Sequence, residues 1–139
     1  MVTLRRLRAT VGAMIAAAAL AGCSMAGVGF ADLERTERSG DELPAAAQAT
    51  LLDSIDPATS RYIGEDGDLR LWLARGTTPD SVCIVLVEPN GEAGAGCGGA
   101  GGVRVGGMGI EGDGELVVQP DGLPVPDGAV VISENVHRT

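Results

Sequence analysis

Aromatic side chains are nearly missing from this chain: Phe30, Tyr62 and Trp72 are the whole set in 139 residues. A buried aromatic ring removes roughly 150–250 Å² from water, so a chain without them must build its interior from Val, Leu and Ile and ends with a small core. Length bounds the outcome as well. Residues 23–139 suffice for one domain, and a thin core of that size gains most from a covalent staple.

The N-terminus reads as an export signal. Arg5, Arg6 and Arg8 form a positive region, followed by an apolar run from Ala9 to Gly22. At about 1.5 Å of helix rise per residue this run is too short to cross a ~30 Å hydrocarbon core, so a permanent transmembrane helix is not expected. Arg8-Ala9 stand where a twin-arginine signal carries apolar residues, which favours general secretion. Leu20-Ala21-Gly22-Cys23 closes the segment, with small residues that suit a narrow peptidase groove. This order resembles the signal of bacterial lipoproteins. The resemblance implies cleavage after residue 22, a diacylglyceryl thioether on Cys23 and often an added N-acyl chain. Each buried CH₂ contributes ~0.8 kcal/mol, so two or more chains hold a protein on a bilayer without spanning it. The plainer alternative is an exported cysteine that pairs or stays free. The expected address is the cell membrane, lipid-anchored on the extracytoplasmic face.

Removing residues 1–22 takes away three of the ten basic side chains and none of the nineteen acidic ones, which leaves seven cations against nineteen anions, a net charge of −12. A basic stripe for phosphate contacts is absent, so no nucleic-acid partner is expected. The same charge is repelled by anionic headgroups, and the acyl chains must then do the holding. With Cys23 assigned to lipid, Cys83 and Cys97 remain as an even pair, and a disulfide between them is predicted. A redox pair of the common kind needs a tight C-x-x-C, and structural zinc needs four ligands where this chain offers two cysteines and one histidine.

Ser24 to Leu43 carries small and charged residues with little apolar periodicity, so residues 23–43 read as a flexible, solvated tether before a domain at 44–139. Pro44 and the run Ala45 to Ile55 predict one short amphipathic helix, ended by Asp56-Pro57. Arg61 to Gly64 and Leu69 to Arg75 flank an Asp66-Gly67 turn and predict a hairpin, with Leu69, Leu71 and Leu73 on one face and Trp72 on the other. Val82 to Val87 reads as a central strand. Half of the residues from Gly91 to Gly114 are glycine, which predicts an irregular hairpin or a mobile loop, with Val103 and Val105 able to pair. Glu115 to Gln119 and Ala129 to Val136 complete the strands. The fold class expected is mainly β (α+β), a small antiparallel sheet with one helix against it.

Val82-Cys83-Ile84-Val85, the second cysteine in a Gly-rich segment, Pro120-Asp121-Gly122 and Glu134-Asn135-Val136 resemble a loose group of small exported actinobacterial proteins. The resemblance covers residues 60–136, implies a compact β-rich domain with a bridge, and brings no catalytic residue with it.

Four features invite a chemical reading. Gly94-Ala95-Gly96-Cys97-Gly98-Gly99 satisfies G-x-G-x-x-G, yet no helix pattern follows it and no cofactor is expected. Asp66 with Asp68, and Asp113 with Glu115, set carboxylates two apart, a spacing that can feed Ca²⁺ from a turn; solvated turn acids are the plainer reading. His137, the only histidine, stands in a C-terminal tail expected to fray, and no G-x-S-x-G elbow accompanies it. Nineteen acids allow glycosidase-like pairs by number alone, without the aromatic platforms such clefts use. The function expected is a membrane-anchored extracytoplasmic lipoprotein with a non-enzymatic binding or structural role, an envelope protein being the candidate partner. The alternatives are a divalent-cation or small-ligand module built on the acidic turns, and behind it a hydrolase with an unrecognised site.

Overall fold

The computed structural model describes residues 28–110 and 112–139; the signal segment and Cys23 lie outside the described residues. The chain forms two four-stranded antiparallel sheets and two short helices. Helices α1 (Ala31–Glu34) and α2 (Ala45–Leu51) come first. Strands β1 (Ile55–Asp66), β2 (Leu69–Gly76), β3 (Val82–Val87) and β4 (Ala93–Gly98) then make a meander in sequence order. Strands β5 (Val103–Gly106), β6 (Glu115–Val118), β7 (Val130–Val131) and β8 (Val136–Arg138) make the second sheet, in the order β5-β6-β8-β7. The class is mainly β, as the strand pattern predicts.

The first sheet is buried on both faces. Leu69, Leu71 and Leu73 of β2 and Val82, Ile84 and Leu86 of β3 meet Val105, Leu116, Val118 and Val136 of the second sheet. On the opposite face Trp72, Ala74, Cys83, Val85 and Val87 pack against Leu43, Ala47, Leu51 and Ile55 at and around α2. Trp72 is therefore core, 3% exposed, with the Tyr62 ring edge-on at 5.1 Å and the Arg70 guanidinium 5.5 Å from its centroid. Three layers, helix, sheet and sheet, explain how aliphatic side chains suffice: β2 and β3 bury alternate residues in two different cores.

Strand β1 is longer than expected, and Pro57 lies inside it instead of merely ending the helix. An edge strand tolerates a residue without an N–H, and the β1–β2 register breaks between Asp56 and Arg61. Thr59 Oγ1 fills the gap by accepting from the Arg75 N–H at 2.8 Å. The expected C-terminal strand Ala129 to Val136 is also revised. It divides into β7 and β8, joined by a tight turn in which the Ile132 and Ser133 N–H groups donate to the Val136 carbonyl.

Residues 28–43, expected as part of a solvated tether, are packed onto the domain. Phe30, Leu33 and Leu43 are buried, the first two in the core between the sheets. Their apolar side chains are too sparse to show a period, and buried polar contacts complete the attachment.

Alternation explains the glycine-rich segment. In β4 the glycines Gly94, Gly96 and Gly98 turn toward the second sheet, and Ala93, Ala95 and Cys97 toward the other face, where α2 lies. A Cβ at Gly96 would fall on the Val105 side chain, and one at Gly98 on the Gly102 carbonyl oxygen. Glycine here is what permits the two sheets to approach closely. Gly102 itself has φ +96° and lies against the Val118 carbonyl, a position only glycine fills without strain.

Candidate functional site

Two polar clusters hold the N-terminal segment to the sheets, and both are saturated. Asp41, 2% exposed, accepts from Arg35 Nη1 and Nη2 at 2.7 and 2.6 Å, from the Arg38 N–H at 2.6 Å and from the Tyr62 N–H at 2.9 Å. The bidentate Arg35 bond, chiefly, with the two backbone donors lowers the Asp41 carboxyl pKa to about 2 against the cost of its burial. Asn135 is fully buried and joins three segments. Its Oδ1 accepts from the Asp32 N–H at 2.9 Å, and its Nδ2 donates to the Gln119 carbonyl at 3.0 Å and to Asp121 Oδ1 at 2.7 Å. The same Asp121 oxygen accepts from the Ala31 N–H at 2.9 Å, and Asp32 Oδ2 from the Asn135 N–H at 2.9 Å. Pro120-Asp121-Gly122 and Glu134-Asn135-Val136, distant in sequence, thus meet in one clasp.

Cys83 and Cys97 are bonded, with Cα atoms 4.1 Å apart on directly opposed positions of β3 and β4. Cys83 is wholly buried beneath the α2 side of the sheet, whereas Cys97 is exposed. Structural disulfides persist in oxidising compartments, so the bridge indicates an extracytoplasmic location. No helix among the described residues is long and apolar enough to cross a membrane.

The other singled-out residues are dispersed. Asp66 is engaged by Arg138 Nε at 2.9 Å, while Asp68 and Asp113 are exposed and Glu115 faces Arg104 at 3.5 Å. Among the described residues no group of three or more His, Cys, Asp or Glu side chains is placed to hold a metal ion. Gly94 to Gly99 runs through β4 into a turn and stands at no helix N-terminus.

His137 corrects the expectation of a frayed tail. It lies in β8, 2% exposed, held there because β8 is an interior strand of the second sheet. Burial first, and then the nearby Arg104 charge, lower its pKa, and its Nδ1 has no hydrogen-bond partner.

Several hollows of ≈ 200 to ≈ 390 Å³ open on the described surface, two of them beside the exposed apolar residues Leu123 and Met108. One of ≈ 390 Å³ lies on the outer side of the second sheet, between Gly102, Arg104, Val117, Gln119 and Leu123, and its only charged lining group is Arg104. The other, ≈ 200 Å³, holds Glu88 and Glu92 beside Met108, and Glu92 Oε2 accepts from Asn90 Nδ2 at 2.8 Å. Neither joins a nucleophile to a base.

No protein-family model matches the sequence, and comparison with the curated proteins and with the solved structures found no match either. Asn135 stands in the Glu134-Asn135-Val136 motif, which gives no hint of its clasping role, and Asp41 is invisible to motif reading. Asp41 follows a Ser39-Gly40 turn and stands among other acids, and nothing local separates a buried carboxylate from a solvated one.

Proposed function

We propose that this chain is a membrane-anchored extracytoplasmic lipoprotein whose domain has a non-enzymatic binding or structural role in the cell envelope. The observation that carries the reading is Leu20-Ala21-Gly22-Cys23 placed five residues ahead of a packed domain in which the other two cysteines are bonded to each other. That leaves Cys23 as the one thiol free for acylation. The non-enzymatic role is supported by what the buried polar groups do: Asp41 and Asn135 spend their hydrogen-bonding capacity on attaching residues 28–43, and the acids of the turns are exposed or ion-paired.

Membrane fractionation of a Cys23→Ala variant tests the reading. The variant is expected to accumulate as unacylated precursor with residues 1–22 attached. Processed, membrane-retained variant protein would overturn the assignment.

A further inference from the structure

Exposed apolar side chains stand where the chain enters the domain and along the segment that follows Asp121. Val28 is 58% exposed, and Leu123, Val125, Val130 and Val131 are 53%, 37%, 47% and 62% exposed within nine residues of one another. The entry point and the start of this segment are bonded together: the Gly29 carbonyl accepts from the Asp121 N–H at 3.0 Å, and Asp121 caps the Ala31 N–H. From Pro120 to Val131 the charged residues are Asp121, which is held in the Asn135 clasp, and Asp127. Both acids are exposed, and they flank an uncharged apolar run, Gly122–Val125.

Chain length decides what can cover it. From Cys23 to Val28 there are five residue steps, at most ~18 Å in any conformation. Part of that reach is used within the headgroup region, which adds about 5–8 Å on each side of the hydrocarbon. A domain of this size is about 30 Å across, so the tether is shorter than the domain is wide. Only the end that carries Val28 and the Asp121 turn can lie near the bilayer.

We propose that the loop Gly122–Val125 is a membrane-docking surface that rests on the phospholipid interface beside the acylated Cys23. This inference rests on the lipoprotein reading above. The occupant is the bilayer itself, because the tether delivers this end of the domain to it and because Gly122–Val125 itself carries no charge for anionic headgroups to repel. Leu123 and Val125 enter the headgroup boundary as shallow anchors, and the domain stands with its β3–β4 turn pointing away. That turn, Glu88 to Glu92, lies at the other end of the strands from the Gly98–Gly102 turn, which packs against Val118 next to Gln119.

The test uses full-length acylated protein reconstituted into phosphatidylcholine vesicles whose chains are brominated near the headgroup. Leu123→Trp and Val125→Trp place a reporter in the loop, and Asn90→Trp places one in the distal turn; the parent protein's buried Trp72 is subtracted as background. All three sites are exposed, so the folded domain tolerates the new ring. The expected result is loss of most of the added emission at residues 123 and 125, with that at residue 90 unchanged. Vesicle-bound protein with no quenching at either loop site overturns the docking surface and leaves the anchor standing. A loop reporter shielded from bromine only as protein concentration rises overturns it in favour of a second copy as occupant. Protein that carries no acyl mass and fails to join vesicles overturns the anchor, and this inference with it.

Discussion

At the residue scale, Asp41 and His137 give the domain opposite electrostatic characters at two buried points. The Asp41 pKa is lowered in the fold, so its contribution is fully present above the ordinary carboxylate range and is lost as pH falls from about 4 through about 2. One pKa unit corresponds to about 1.4 kcal/mol, and solvent reaching Arg35 screens the pair, which makes the loss about 1–2 kcal/mol. Asp41→Asn is expected to lose this acid limb and to destabilise the neutral-pH fold by about 2 kcal/mol, since Arg35 is left without its anion; urea midpoints between pH 2 and 7 check both. His137 is buried with its pKa lowered, so unfolding binds a proton below about pH 6.5 and acidification through that value weakens the fold. A His137→Leu variant is expected to show a smaller drop in urea midpoint between pH 7.5 and 5.5. An equal drop would show that another group is responsible.

At the scale of elements, β4 and the bridge carry the argument. Gly102→Ala combines a left-handed backbone with a Cβ against the Val118 carbonyl, and is expected to cost about 2 kcal/mol or more, read as a lower thermal midpoint; a change within about 0.5 kcal/mol would contradict the close approach of the two sheets. Cys83 and Cys97 close a loop of sequence separation 14, worth about 3 kcal/mol, so Cys83→Ala with Cys97→Ser is expected to lower the midpoint by on the order of 10 °C. Strands were legible wherever side chains alternate or run apolar, as in β2 and β3, and the cysteine pairing followed from counting. Trp72 was placed on the correct face by period two, though only the layer from α2 decides that this face is buried. In β4 the same alternation is present as Ala-Gly-Ala-Gly-Cys-Gly, but its inward residues have no side chain, so hydrophobic patterning is blind to it. Residues 28–43 were misread for a related reason: three apolar anchors and a few polar clasps hold them, and those partners lie up to 103 residues away.

At the scale of the whole molecule, the acylation proposed for Cys23 would set the protein's place, and the fold suits an oxidising compartment. An oxidising compartment allows the bridge that a core with three aromatic residues needs. In the proposed anchoring, the short tether would present the Val28 end of the two-sheet domain to the bilayer. Intact-mass spectrometry of the native protein extracted from membranes tests this account most directly. The account predicts a chain that begins at Cys23, carries the mass of a diacylglyceryl group with or without a further acyl chain, and lacks the two hydrogens of one disulfide. A native product that retains residues 1–22 and bears no fatty acid would contradict it.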